Sequence, residues 1–296
     1  MPEKIIVISG PTASGKSALA LKMADFYDIA IINADALQIY EGLPILSSQP
    51  TEEERKKVPH FLYSVLKTHE TSSVGLWLAL VKPLIEKIWQ EKKTPVIVGG
   101  SGMYISKLIE GIAEIPQIFA TVKKQAQELY EKIGHQEFQK KFGEGKIIDK
   151  QRLIRACEVS LQTEKPISFW QKQQQKIFPE AKFIHINLNP DRKKLYENCN
   201  WRFEKMIEDG ALDEVRKLSD QSITDDKPIS KTLGFYEIRD FLAGKIDRKK
   251  MIAIATQKTR NYAKRQLTWF RNQLPNKHVF VNPDAVLSFL QNEIQR

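Results

Sequence analysis

Residues 4–17 read Lys-Ile-Ile-Val-Ile-Ser-Gly-Pro-Thr-Ala-Ser-Gly-Lys-Ser, and their order decides the fold. A β-branched run, Ile5 to Ile8, leads into G-x-x-x-x-G-K-S from Gly10 to Ser17, and a helix-like segment, Ala18 to Phe26, follows. Strand, glycine loop and helix in that order are the setting a phosphate-binding loop needs. Gly10 and Gly15 let the backbone curl around an anion, and consecutive N–H groups at the helix start point inward. The eight residues Gly10, Pro11, Thr12, Ala13, Ser14, Gly15, Lys16 and Ser17 are therefore the expected diphosphate- or nucleotide-binding set. Lys16 reaches phosphate oxygens and the Ser17 hydroxyl is placed to hold Mg²⁺. The motif announces a polyphosphate and leaves the reaction open.

Composition narrows the classes. A chain of 296 residues can bury a large core in one domain or two. No run of about 18 apolar residues exists, so no membrane span is expected. The N-terminus enters a strand directly, which leaves no room for a signal peptide and points to the cytoplasm. Cys157 and Cys199 lack metal-ligand spacing and fit buried thiols in a reducing compartment. The net charge of +10 is uneven: residues 1–112 balance 12 basic against 12 acidic residues, so the whole excess lies in 113–296. A neutral half joined to a basic half suggests an extended polyanionic partner, although solvated lysines would give the same sum.

Four further apolar runs read as strands: 29–34, 95–98, 183–188 and 278–282. Long helical stretches lie among them at 76–90, 193–219 and 248–270. The alternation predicts an α/β protein with a doubly wound parallel sheet of phosphate-loop NTPase type. Residues 113–180 break the rhythm, being rich in Lys, Gln and Glu without a strand. They read as an inserted helical domain, leaving 1–112 and 181–296 as the core domain.

Two loops after strands should face the phosphate loop, because ligands bind beyond the carboxyl ends of parallel strands. One begins at Asp35, which is either a helix cap or a functional carboxylate. The other is Gly99-Gly100-Ser101-Gly102, which serves either tight packing or anion binding. The last long helix ends Lys258-Thr-Arg-Asn-Tyr-Ala-Lys-Arg-Gln-Leu-Thr-Trp-Phe-Arg271, with five cations, three aromatics and no acid. At about 100° per residue, Arg260, Lys264 and Arg271 fall within roughly 40° of one another. Such a stripe suits RNA phosphates and unstacked bases, or else a helix with core aromatics and solvated charges. Gln151-Arg152-Leu153-Ile154-Arg155 forms a smaller basic cluster in the insertion.

Taken together, these segments resemble the tRNA dimethylallyltransferases, the bacterial tRNA isopentenyltransferase family. The matching pieces are 10–17, Asp-Ala-Leu-Gln-Ile-Tyr at 35–40, Val-Pro-His at 58–60, and Val-Gly-Gly-Ser-Gly-Met-Tyr at 98–104. Gln-Arg-Leu-Ile-Arg-Ala-Cys-Glu-Val at 151–159, Leu-Gly-Phe-Tyr-Glu at 233–237 and the helix end at 259–271 complete the ordered set. The resemblance implies transfer of a dimethylallyl group from its diphosphate to the exocyclic amine of the adenosine 3′ of the tRNA anticodon. It implies Asp35 as base, with Lys16 and Ser17 serving the diphosphate and Mg²⁺. It places tRNA contacts at Asp35, Ala36, Leu37, Gln38, Ser101, Lys123, Gln151, Arg152, Leu153, Ile154 and Arg155. The helix end adds Lys264, Arg265, Gln266, Trp269 and Arg271, and a monomer is expected. Departures from the family pattern are Ala36 for Ser, Ser17 and Ser101 for Thr, Lys123 for Arg and Phe119 for Asp, and part of the usual pattern is missing at 143–150.

The residues fit the alkyl transfer that the resemblance implies: donor groups at 10–17 can stabilise a departing diphosphate, and Asp35, the implied base, would take the proton of a poorly nucleophilic amine. A kinase would use the same loop but needs several arginines to clamp a phosphoryl group, and residues 1–112 contain only Arg55. A non-catalytic RNA-binding nucleotidase is the rival from another class.

Overall fold

The computed structural model describes residues 3–220, 225, 227–274 and 277–294. Among these, six strands form one sheet: β1 (Lys4–Ser9), β2 (Ile29–Asn33), β3 (His60–Phe61), β4 (Thr94–Gly99), β5 (Lys182–Leu188) and β6 (His278–Phe280). Their order is β3-β2-β4-β1-β5-β6 and every pair is parallel. The doubly wound sheet is thus present, with the two-residue β3 as a strand that periodicity could not reveal. The central strands are buried almost throughout, which is why they read as unbroken apolar runs rather than alternating ones.

The chain divides into two compact units, residues 1–107 with 178–296, and residues 108–177. In the first unit, the expected helix over 193–219 is two helices, Arg192–Glu208 and Ala211–Asp220. The break falls at Gly210, whose φ of +108° ends the first helix in a left-handed turn. The helix Arg248–Gln273 runs unbroken for 26 residues. In the second unit the helices Ala120–Phe142, Lys150–Thr163 and Ile167–Gln171 close over two small cores. Gly111 and Gln175 bring its two chain ends together, with Ile112 and Gln175 bridged by paired backbone hydrogen bonds of 3.2 Å.

Register brings the working loops to one edge of the sheet. Ser9 lies level with Gly99 across β1 and β4, and Asn33 lies level with Val98 across β2 and β4. The loops beginning at Gly10, Ala34 and Gly100 therefore leave the sheet side by side. A Cβ at Gly99 would stand 2.0 Å from the Ala34 carbonyl oxygen, so only glycine lets the second and third loops touch.

Candidate active site

The phosphate loop is shaped for an anion. The helix Lys16–Met23 starts from Gly15 with no side-chain cap and no acid in its first turn, so its leading N–H groups remain free to face a ligand. The Ser14 hydroxyl is buried in the loop without a hydrogen-bond partner, an orphan that a phosphate oxygen would satisfy. The Lys16 Nζ donates to the Pro11 carbonyl at 2.6 Å. Burial, then the nearby Arg202, pull its pKa down to about 7, while Asp35 pushes the other way. Ser17 is exposed on the first turn.

Arg202 is the residue that sequence reasoning missed. It comes from the Arg192–Glu208 helix and donates from Nη2 to the Thr12 hydroxyl, while Asn198, one turn earlier, donates to the Ala13 carbonyl at 3.3 Å. No local sequence signal marked it. Leu195, Cys199, Phe203 and Met206 form the buried stripe of that helix, and Arg202 lies on its border, where arginines commonly lay their stems along a core with the head in water.

Asp35 stands opposite the loop. Asn33 accepts the Asp35 N–H at 2.7 Å and gives its own amide hydrogens to the Asp35 and Leu62 carbonyls. One Asp35 oxygen accepts the Leu37 N–H at 2.9 Å. No helix begins here, so this carboxylate closes a turn rather than capping a helix. The Ser101 hydroxyl accepts the Ala36 N–H at 2.9 Å, and Gln38 donates to the Ser47 and Ser48 carbonyls at 2.9 and 2.8 Å. Burial, reinforced by the Asp35 charge, pushes the phenols of Tyr63 and Tyr262 well above their ordinary range.

Two cavities meet here. The larger, about 940 Å³, runs from the phosphate loop past His60 and Tyr63 to Trp201 and Asn282. The smaller, about 60 Å³, extends from Thr12 and Arg202 to Asp35 between Leu46, Phe203, Met206 and Tyr262. Arg202 and Ser48 line both.

The long C-terminal helix does more than carry charge. The Gln266 carboxamide, expected on RNA, is buried: its Oε1 accepts the Thr12 N–H at 2.8 Å and its Nε2 donates to the Gly100 carbonyl at 2.9 Å. Both ends are engaged inside the protein, so this assignment is corrected to a brace between two loops. The Trp269 ring lies against Gly102 so closely that a Cβ there would overlap it, which makes the glycine loop a packing surface at that position. Lys264, Arg265 and Arg271 are exposed, whereas Arg260 turns inward to Asn200 at 2.5 Å. Lys264 and Arg271 join Arg192 and Lys277 around a separate cleft of about 310 Å³ with no acidic residue in its lining.

In the second unit, Lys123, Gln151 and Arg152 are exposed, and Arg155 pairs with Glu158 at 2.9 Å. Leu153 is fully buried and Ile154 packs beside it against the Ala126–Phe138 core. Leu153 therefore holds the helix in place and cannot offer its side chain to RNA, a correction that follows from helical period: residue i+2 points away from its exposed neighbours.

The IPP transferase family model matches residues 38–273, and the isopentenyl transferase model matches residues 3–68. The chain belongs to the IPP transferase family. It is 40% identical over 285 residues to a tRNA dimethylallyltransferase of Caulobacter sp. (strain K31), covering 93% of this chain and 92% of that one. A tRNA dimethylallyltransferase of Wolbachia pipientis wMel is 39% identical over 289 residues, 94% of this chain and 96% of the relative. Among solved structures, the tRNA isopentenylpyrophosphate transferase of Bacillus halodurans aligns at a TM-score of 0.71 and 30% identity, over 99% of this chain and 96% of that one. Thr12 of the phosphate loop, Asp35, and Thr259 and Tyr262 of the long helix line the same small cavity. No helix of the described residues is long and apolar enough to cross a membrane.

Lys16 gives this geometry a measurable signature. Its pKa in the fold, about 7, lies below the ordinary lysine value of 10.5, so between those limits the unfolded chain holds more protons. The penalty for the buried charge is complete below pH 7 and fades as pH rises through that window. Lys16→Met is therefore expected to melt higher than the wild type at pH 6, with the margin shrinking steadily toward pH 10. A margin independent of pH in thermal melts would mean that the ammonium is not buried as described.

Proposed function

We propose that the chain transfers a dimethylallyl group from dimethylallyl diphosphate to the exocyclic amine of the adenosine 3′-adjacent to the anticodon in tRNA, giving N6-dimethylallyladenosine and diphosphate. The observation that carries the reading is the small cavity, which brings together one cation, Arg202, one carboxylate, Asp35, and apolar side chains at Leu46, Phe203, Met206 and Leu233. A diphosphate seated on residues 10–17 would direct its carbon chain past Arg202 into that cavity, and the amine, with Asp35 beside it, would meet C1, the carbon next to the diphosphate.

The chemistry follows from this placement. As the C1–O bond breaks, negative charge grows on the leaving diphosphate, and Lys16, Arg202, the Ser14 hydroxyl and the helix-start N–H groups are aimed at it before the reaction begins. Loss of diphosphate leaves an allylic cation in a pocket walled by Leu46, Phe203, Met206 and Leu233, which keeps water from trapping it. The adenine nitrogen forms the C1–N bond, and the Asp35 carboxylate takes the N–H proton. Asn33 holds Asp35 in place through its backbone, so the free carboxylate oxygen stays turned to the cavity's ligand.

Among the described residues no cluster of His, Cys, Asp or Glu could hold a metal by itself. The site fits Mg²⁺ that arrives on diphosphate oxygens, with the Ser17 hydroxyl as its protein ligand. The ion would neutralise charge on the leaving group.

For tRNA, Lys264 and Arg271 with Arg192 and Lys277 around the separate cleft, and the exposed Arg265, offer a phosphate track. Trp269 supplies an aromatic face. Leu37 lines the small cavity beside Asp35, and Ala36, Gln38 and Ser101 lie on the two loops that meet there. In the second unit, Lys123, Gln151, Arg152 and Arg155 provide further positive surface. The target base must leave its stack to reach Asp35.

The direct test incubates the protein with dimethylallyl diphosphate, Mg²⁺ and unmodified tRNA, and looks by mass spectrometry for a five-carbon addition to adenosine. Asp35→Asn keeps an oxygen for the Leu37 N–H, so the loop should hold while single-turnover transfer falls by about two to four orders of magnitude. A mutant retaining more than about a tenth of the rate would remove Asp35 from the base's role. Lys264→Ala with Arg271→Ala should lower the salt slope of tRNA binding by about two and leave the KM for dimethylallyl diphosphate unchanged. An unchanged slope would take this helix off the RNA.

A further inference from the structure

One wall of the small cavity is a side chain held in place by a backbone with no room to spare. Phe203 and Met206, one turn of helix apart, line it together with Leu46 and Leu233, and none of the four lines the larger cavity. Phe203 and Leu46 are each about 3% exposed. They form the apolar end, as opposed to the end shared with the phosphate cradle at Arg202 and Ser48.

What holds Phe203 is Gly234. Its φ is +91°, a conformation that side chains rarely adopt, and a Cβ there would stand 2.5 Å from the Phe203 ring and 3.3 Å from Leu46. The chain at 232–235 thus presses its bare backbone against the ring, with Leu233 continuing the same wall. The opposite wall is also fastened: the Glu214 carboxylate accepts the Ile45 and Leu46 N–H groups at 2.7 and 2.9 Å. Neither wall can move aside without losing these contacts, and tightly packed walls yield little.

The volume then sets a length. A cavity needs roughly 10–15 Å³ to take one water-sized group, so about 60 Å³ takes about four to six such groups. That is about the size of a five-carbon chain and about half that of a ten-carbon one.

We propose that Phe203, backed by Gly234, is the residue that limits the transferred chain to five carbons. The proposal rests on the function argued above and assigns a specificity determinant within that site. Shortening the side chain extends the cavity along the Phe203 helix, and a ten-carbon donor then reacts by the same displacement. Its C1–O bond breaks, diphosphate leaves with the electron pair, the adenine nitrogen bonds to C1, and the N–H proton passes to Asp35.

The test offers geranyl diphosphate and dimethylallyl diphosphate separately to the wild type, Phe203→Ala and Phe203→Leu, with tRNA and Mg²⁺. Thermal melts confirm that each variant is folded. The expected result is that the ratio of kcat/KM for geranyl over dimethylallyl diphosphate rises by about 100-fold or more in Phe203→Ala, and by less in Phe203→Leu, with a ten-carbon addition to adenosine seen by mass spectrometry. If a variant transfers neither group, the inhibition constant of geranyl diphosphate against inorganic diphosphate binding is read instead, and it should tighten as the side chain shortens. Unchanged discrimination with unchanged geranyl affinity would overturn the proposal. Failure of the wild type to transfer even the five-carbon group would instead overturn the function on which it rests, so the two outcomes are distinct.

Discussion

One carboxamide ties the site together. Gln266 takes the Thr12 N–H with its oxygen and gives a hydrogen to the Gly100 carbonyl with its nitrogen, so a residue on the C-terminal helix fixes the phosphate loop to the glycine loop. The glycine loop in turn clasps the Asp35 loop, through Ser101 to the Ala36 N–H and from the Ser101 N–H to the Ala34 carbonyl. Three loops from three strands thereby keep one spacing. Because the group to be transferred spans from diphosphate to base, that spacing is the property that catalysis depends on.

Charge is distributed along the same line. Lys16 and Arg202 are both made less basic by burial, and Asp35 is the acid that offsets each of them. A free site thus contains two crowded cations and one carboxylate, an arrangement that a bound diphosphate relieves. The apolar side chains Leu46, Phe203, Met206 and Leu233 line the cavity beside these charges. The same physical layout that stabilises a leaving anion therefore shields the cation left behind.

Much of this was legible in the sequence. The phosphate loop, the strand alternation and the loop at Asp35 can be read because each is local: a few residues whose types and spacing carry the whole signal. The glycine loop could be located, but not the reason for Gly99 or Gly102, which lies in residues 34 and 269. Gln266 looked like one more polar residue on a basic helix, and Leu153 like part of a basic cluster. Their burial depends on which helix face meets the core, which no short motif states. Arg202 and Phe203 were invisible for a related reason: they matter through contacts with Thr12 and Gly234, far away in sequence. The break at Gly210 was missed because one glycine within a long polar helix is also compatible with continuity.

The most direct test of this account is a single-turnover measurement on Gln266→Ala, with tRNA and dimethylallyl diphosphate both saturating, beside a tRNA binding titration. Loss of the brace lets the loops drift apart, so the transfer rate should fall about 100-fold while tRNA affinity changes by less than about threefold. A variant that keeps its saturated rate but binds tRNA at least about tenfold more weakly would contradict it. Gln266 would then be a contact to RNA, and the fixed spacing would have to come from elsewhere.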